Sequence, residues 1–412
     1  MLRYFLLLSF FFILTACASS SALPSSQGMP NTPKMDVTSI PTQFTLGQCV
    51  DARQPTPDPN QPSLFPKVFE QDHIYGASNA SVTVLVYSDF QCTTCANLAL
   101  RLKAIIDKNP KDVRMVFRNF PLISIHDKAA FAAQAAEAAG LQGKFWVMHD
   151  FLFSNQDQWN RQKPQDFEKW IIQQSSTLGL DPVRFETDFQ NPNTVSAVQK
   201  AWTDGQNINL PGAPIILING EIIKWQVNLL DQLEALIKLA MLPKKQFSNC
   251  PTVVINPGKQ YSAVLKTSRG NITIKLFTDK SPNTVNNFVF LAKKGWFDHN
   301  AFIQSIPGFE VSTGDPSGTG YGGPGYFNAD EKNNLQFDRS GMVAMKNAGV
   351  DTNGSIFFIT SAPDSKINSK YTIFGEVTSG LDIVSQLASI GSHSQKTAAP
   401  IEWLNTVEID EK

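Results

Sequence analysis

The spacing of hydrophobic and polar positions changes several times along this 412-residue chain, and each change predicts an element. Residues 4–14 are an apolar run broken only by Ser9, too short to span a bilayer as a helix. From 18 to 65 no apolar period exists and Ser, Pro, Thr, Asn and Gln prevail. Such a stretch cannot bury enough apolar surface to offset its ordering entropy, so it predicts a tether. Residues 82–87 (VTVLVY) form a β-branched run that predicts a buried strand. Beyond it Cys95, Leu98, Ala99, Leu102, Ile105 and Ile106 recur at three- and four-residue spacing, the stripe of an amphipathic helix opening at Cys92 and stopping at Asn109-Pro110. A second strand follows at 113–118, then helical periods at 128–139, 144–153 and 165–178. Residues 215–223 read as a hairpin turning at Asn219-Gly220, and 229–242 as a closing helix. After residue 258 the pattern changes again. A hairpin turns at Arg269-Gly270, a helix starts at Ser281-Pro282 with Ser as N-cap, and short strands with Gly-rich loops fill the rest.

Composition narrows the class. Hydrophobic residues make up 42% of the chain and charged residues 17%, enough apolar material for two cores. A net charge of −1 offers no basic face, so nucleic-acid binding is not expected. Residues 1–17 have the form of a signal peptide: Arg3, the apolar run, then Leu14-Thr15-Ala16-Cys17. The last four residues resemble a bacterial lipobox, which implies lipidation of Cys17 and an extracytoplasmic protein anchored to a bacterial membrane. Ordinary cleavage with Cys17 as a chance residue is the other reading. Of the five cysteines, Cys92 and Cys95 form a C-x-x-C pair. Cys49 and Cys250 are then left to each other, as a staple across the first folded region or as two free buried thiols.

Disulfide exchange needs one sulfur as thiolate, and a helix N-terminus favours the anion. Cys92, at the end of a strand and the start of a helix, is therefore the expected nucleophile. Cys95, one turn on, is the expected resolving thiol. No second ligand pair accompanies them, so neither zinc nor another cofactor is expected. Asp89 is expected to cap the helix start or to relay a proton, and His126 and His149 to be structural. The stretches VLVYSDFQCTTC at 84–95, VFRNFP at 116–121 and FWVMHDFLF at 145–153, with Gly212-Ala213-Pro214, resemble the DsbA-like branch of the thioredoxin superfamily. The resemblance implies a thioredoxin fold with a helical insertion, and a cis peptide before Pro214 lying against the thiol pair.

The stretches SPNTVNNFVFLAKKGWF at 281–297, IPGF at 306–309, NGS at 353–355 and YTIFG at 371–375 resemble a cyclophilin. That resemblance implies an eight-stranded closed barrel with capping helices and a proline-binding groove carried by Phe302, Gln304, Phe309, Phe358, Ile367 and Tyr371. The family pattern Phe-His-Arg is here Phe302-Ile303-Gln304, and a glutamine of the family is here Ser312. A neutral amide is a poor substitute for a guanidinium, so weak or absent prolyl-isomerase activity is expected. The Gly-rich stretch 314–325 lacks a following Lys-Ser/Thr and reads as a loop rather than a phosphate cradle.

The expected organisation is therefore a leader at 1–17, a tether at 18–65, a DsbA-like α/β domain at 66–243, a linker at 244–258 and a mostly-β cyclophilin-like domain at 259–412. The expected function is thiol–disulfide exchange on exported proteins. The expected partners are unfolded or thiol-containing chains and a membrane redox partner. A bifunctional folding factor with prolyl-isomerase activity, or a lipid-tethered peptide-binding protein, are the alternatives.

Overall fold

The computed structural model of the protein describes residues 46–53, 65–224, 229–256, 258–390 and 401–412. The expected leader with Cys17, and residues 18–45 and 54–64 of the expected tether, lie outside them.

Val82–Ser88 forms the strand that the β-branched run predicts, and its period of two sorts side chains onto opposite faces. Val82, Val84 and Val86 pack with Leu98, Leu102, Ile105 and Ile106 of the helix Thr93–Lys108 and with Leu229, Leu233 and Ile237 of the helix Leu229–Met241. Leu85 and Tyr87 face the other way, against Val116, Phe120 and Leu217. Among the described residues this sheet has five strands, in the order His73–Gly76, Val113–Asn119, Val82–Ser88, Ile215–Ile218, Glu221–Ile223. Val82–Ser88 and Val113–Asn119 run parallel and the other pairs antiparallel. The expected hairpin turns through Asn219 and Gly220, both at positive φ (50° and 90°), as a type I′ turn requires.

A helical layer fills the chain between Asn119 and Ile215. Ala132, Ala135, Ala136 and Ala139 of the helix Ala129–Gly140 are buried, and their small side chains admit Phe145, Met148, Phe167, Phe185 and Phe189 from neighbouring helices. Two of these helices, Pro182–Gln190 and Pro192–Asn207, were not anticipated from the periodicity. Each starts with an Asx cap and proline: the Asp181 carboxylate accepts from the amides of Val183 and Arg184, and Asn191 from that of Asn193.

The main sheet of the second region has nine strands among the described residues. Their order is Gln304–Ile306, Glu310–Thr313, Phe357–Thr360, Met342–Met345, Ile373–Ser379, Gly270–Leu276, Tyr261–Thr267, Trp403–Glu411, Asn300–Ala301. This corrects the expected eight-stranded closed barrel: the sheet is a strongly curled half-barrel. Its two edge strands, Asn300–Ala301 and Gln304–Ile306, are nearly consecutive in the chain, yet no ladder joins them. Between them the Phe302 amide donates to Glu402 O and the Ile303 amide to Ser312 O, so the chain passes from one edge to the other without closing the sheet. Inside the curl Val311, Val343, Met345, Phe357 and Ile359 pack on Val285, Phe288 and Val289 of the helix Pro282–Lys293. Ser281 does not cap that helix through its side chain; its hydroxyl donates to Ile373 O. Glu331 supplies the acceptor instead, receiving the amides of Asn283 and Thr284.

Two segments expected to be loose are anchored. Val50–Asp51 pairs with Tyr326–Phe327, and the Ala52 amide donates to Gly325 O, so residues 46–53 are not free tether. In the expected linker Ile255 enters the second core and the Val254 amide bonds Asn286 Oδ1, while Leu242, expected in the first domain, joins the same core. Cys49 and Cys250 form a disulfide between these segments, across 201 positions of sequence. The Gly-rich loop that receives them is organised by Asp315, whose buried carboxylate accepts from Ser317, Thr319, Gly320 and Gly322.

Gly314 sits at φ +106° where an added Cβ would stand 2.2 Å from Ser355 O. Gly314→Ala should therefore destabilise the second domain by about 2 kcal/mol or more. Denaturant unfolding of the variant checks this, and an unchanged midpoint refutes it.

Candidate functional site

Cys92 occupies the N-cap position of the helix Thr93–Lys108 in extended backbone, φ −76° and ψ 119°. Its sulfur accepts from the Cys95 amide at 3.1 Å, one of the donors that a helix start leaves unpaired. It also lies 3.7 Å from Ala213 O, beside the cis Ala213–Pro214 peptide. The three residues expected to share the thiol site, Cys92, Cys95 and Pro214, are thus together. Hydrogen bonding from the Cys95 thiol, then from its amide, holds the Cys92 thiol down at about 7 against the opposing effect of burial; the nearby His126 also lowers it and Asp89 raises it. Burial pushes the Cys95 thiol far up, and the neighbouring Cys92 sulfur adds to that. The two sulfurs are therefore unequal: ionisation is favoured at Cys92 and opposed at Cys95.

The loop before Cys92 is braced from three sides. The Asp89 carboxylate, fully buried, does not cap the helix. One oxygen accepts from the Gln91 amide, the other from the Leu122 amide and from His126 Nδ1 at 2.8 Å. Gln156 Nε2 reaches from the helical layer to Phe90 O and Cys92 O. His149 is buried among Phe90, Phe117, Trp146 and Phe153, with burial lowering its proton affinity. It fills a core rather than a reactive position. Gln156 carried no signal in the sequence, because its role depends on where a distant helix docks.

The second site lies on the outer face of the curled sheet. Cross-strand register puts Gln304 opposite Ser312, Ser312 opposite Phe358, and Phe358 opposite Ala344. Residues directly opposite share a face, so this row turns away from the main core. Phe358, Ile367 and Ala344 are buried there with Phe337 and Met342, and Phe309 and Tyr371 pack over them half-buried. The Phe358 and Tyr371 rings meet edge-on at 5.3 Å. Five of the six expected groove residues therefore sit on one face. Phe302 does not: it is buried in the main core with Val311 and Phe357. In an unbroken strand Phe302 and Gln304 would share a face, but the chain turns between the two edge strands and resets the alternation. Two charged residues missed by the sequence reading join the groove. Lys346 Nζ donates to Gln304 Oε1 and forms an ion pair with the buried Glu310 carboxylate.

Residues 69–239 match the family model described as thioredoxin, and residues 262–408 the one described as cyclophilin type peptidyl-prolyl cis-trans isomerase. The peptidyl-prolyl cis-trans isomerase-like 1 of Gibberella zeae is 37% identical over 149 residues, 35% of this chain and 91% of its own length. The peptidyl-prolyl cis-trans isomerase ppi1 of Schizosaccharomyces pombe is 40% identical over 35% of this chain and 94% of its own. The peptidylprolyl isomerase domain and WD repeat-containing protein 1 of Mus musculus is 39% identical over 37% of this chain. The chain spans about a quarter of the length of such longer relatives. A crystal structure of a Cryptosporidium parvum cyclophilin type peptidyl-prolyl cis-trans isomerase covers 37% of this chain and 99% of its own, at 30% identity and a TM-score of 0.35. The names of these relatives run against the expectation that isomerase activity is weak or absent.

The lowered Cys92 pKa has a definite sign. An unfolded thiol ionises near about 8.5, so the thiolate's contribution to folding is complete above that pH and is lost as pH falls through about 7. Alkylation of the reduced full chain should show Cys92 half-reactive near pH 7, with Cys95 unlabelled. A midpoint at the free-thiol value refutes the assignment.

Proposed function

Because the chain belongs, through residues 262–408, to the cyclophilin type peptidyl-prolyl isomerase family, we propose that it is a folding enzyme. It turns Xaa-Pro bonds of extended chains in the groove beside Gln304 and exchanges disulfides through Cys92 and Cys95. The observation that carries the first activity is the outer sheet face, where Phe309, Phe358, Ile367 and Tyr371 stand beside Gln304 and Ser312. An apolar bed suits a proline ring, and a neighbouring polar edge suits the imide that must rotate. That rotation takes tens to hundreds of seconds uncatalysed and limits many folding reactions.

The second activity is supported by the Cys92 sulfur at a helix start, with a thiol near 7 beside a protonated Cys95. The Cys92 thiolate attacks a substrate disulfide. One substrate sulfur leaves as thiolate and a mixed disulfide forms. Cys95 then loses its proton and attacks the Cys92 sulfur, releasing the second substrate thiolate and leaving the pair oxidised. The reverse sequence oxidises a substrate dithiol. Both reactions act on unfolded chains, which gives a reason for joining them.

An oxidising, extracytoplasmic setting is part of this proposal. The Cys49–Cys250 disulfide supports it, because such bonds persist outside reducing compartments. The Leu14-Thr15-Ala16-Cys17 stretch supports a lipid anchor, with a membrane redox partner to recycle the thiol pair.

Both activities are tested on the full chain. It should accelerate isomerisation of an Xaa-Pro test peptide, and the Cys92→Ser, Cys95→Ser double variant should keep that activity while losing disulfide exchange to background. A wild-type rate equal to the uncatalysed one refutes the isomerase. Exchange that survives the double substitution refutes the thiol mechanism.

A further inference from the structure

We propose that Lys346 and Glu310 are positioning residues for the isomerase: they hold Gln304 with its carbonyl oxygen inward, so that its Nε2 donates to the rotating imide of the substrate. The inference rests on the isomerase reading above and names what the groove uses in place of a cation.

The geometry begins with Glu310. Its strand places it two residues before Ser312, on the same outward face, and its side chain is only 4% exposed. A carboxylate so enclosed needs a partner, and Lys346 Nζ provides it. Lys346 follows Ala344 by two residues on the same face, with its amide continuing the ladder to Ile356 O. The Lys346 ammonium is paired with the Glu310 carboxylate, so it does not stand on this face as a bare charge.

Lys346 also bonds Gln304, and the chemistry of that bond fixes the amide's direction. An ammonium has three donors and no acceptor. Gln304 can meet it only through Oε1, so its NH2 group is turned away from Lys346. Among the described residues Gln304 Nε2 donates to no protein group, although Gln304 is partly enclosed. Directly across the ladder Ser312 Oγ is buried and has no hydrogen-bond partner among the described residues. Buried hydroxyls are rarely left unpaired, and a ligand group is one explanation. Gln304 Nε2 is thus the uncommitted donor on this face beside the aromatic bed, with the enclosed Ser312 hydroxyl unpaired across the ladder from it.

Such a donor suits the reaction. In the planar imide the nitrogen lone pair is delocalised and accepts hydrogen bonds poorly. In the half-rotated imide it is localised and accepts well. A fixed donor beside it therefore stabilises the transition state more than the ground state. A neutral donor is about half as strong as a charged one, so its aim matters more. Without Lys346 the Gln304 amide is free to flip and present its oxygen, which would repel the same lone pair.

Isomerase kinetics of the full chain test this. Lys346→Met should lower kcat by about tenfold or more with KM little changed. Lys346→Arg, also a pure donor, should retain most of the activity. Adding Lys346→Met to Gln304→Leu should cause no further loss, since Lys346 acts through Gln304. Full activity in Lys346→Met, or an additive loss in the double variant, overturns the proposal. Should the wild-type chain lack isomerase activity, the proposed function fails, and the side-chain amide resonance of Gln304 decides the positioning separately. An Xaa-Pro peptide should shift it in the wild-type chain and not in Lys346→Met. The same shift in both, or none in either, overturns the positioning role.

Discussion

The period of two along a pleated strand is the constraint on which both sites depend. In the first domain it sends Val82, Val84 and Val86 to the face that carries the helix Thr93–Lys108, and that packing fixes where the helix begins. That starting point puts the Cys92 sulfur at the N-cap of the helix. In the second domain the same alternation divides the sheet between Val343, Phe357 and Ile359 inside and Met342, Ala344 and Phe358 outside. A slip of one residue would turn the groove inward and the core outward.

The two sites handle charge in opposite ways. At Cys92 the Cys95 thiol, and after it the Cys95 amide at the helix start, favour the anionic form, and Asp89, although close, is tied up by the Leu122 and Gln91 amides and by His126. In the groove the Lys346 ammonium that bonds Gln304 is offset by Glu310, leaving the NH2 of Gln304 as the polar group to offer. The first arrangement favours an anionic sulfur and the second a hydrogen-bond donor.

The segments around the first domain are structural parts of the second. Val50–Asp51 adds to Tyr326–Phe327, Phe247 bonds Pro324 O through its amide, and the Cys49–Cys250 disulfide joins the two segments. Low apolar content predicts loose chain, but a few backbone pairs and one covalent bond are enough to hold a short polar segment.

Much of the architecture was legible in local chemistry. The β-branched run at 82–87, the stripe from Cys95 to Ile106 and the Asn219-Gly220 turn state their own conformations, because strand, helix and tight turn are set by neighbours in sequence. The helices after Asp181 and Asn191 were equally open to reading from their cap-and-proline starts, yet their low apolar content hid them. The thiol pair was legible because Cys92 and the helix it opens are contiguous in the chain. The groove was legible as residue types only. That Phe302 leaves it, that the sheet stays open, and that Lys346 and Glu310 enter it beside Gln304 were decided by tertiary structure. Those outcomes depend on register between strands far apart in the chain and on a two-residue turn at the sheet's edge. No local pattern carries that information, because cross-strand partners are chosen by the packing of the whole sheet.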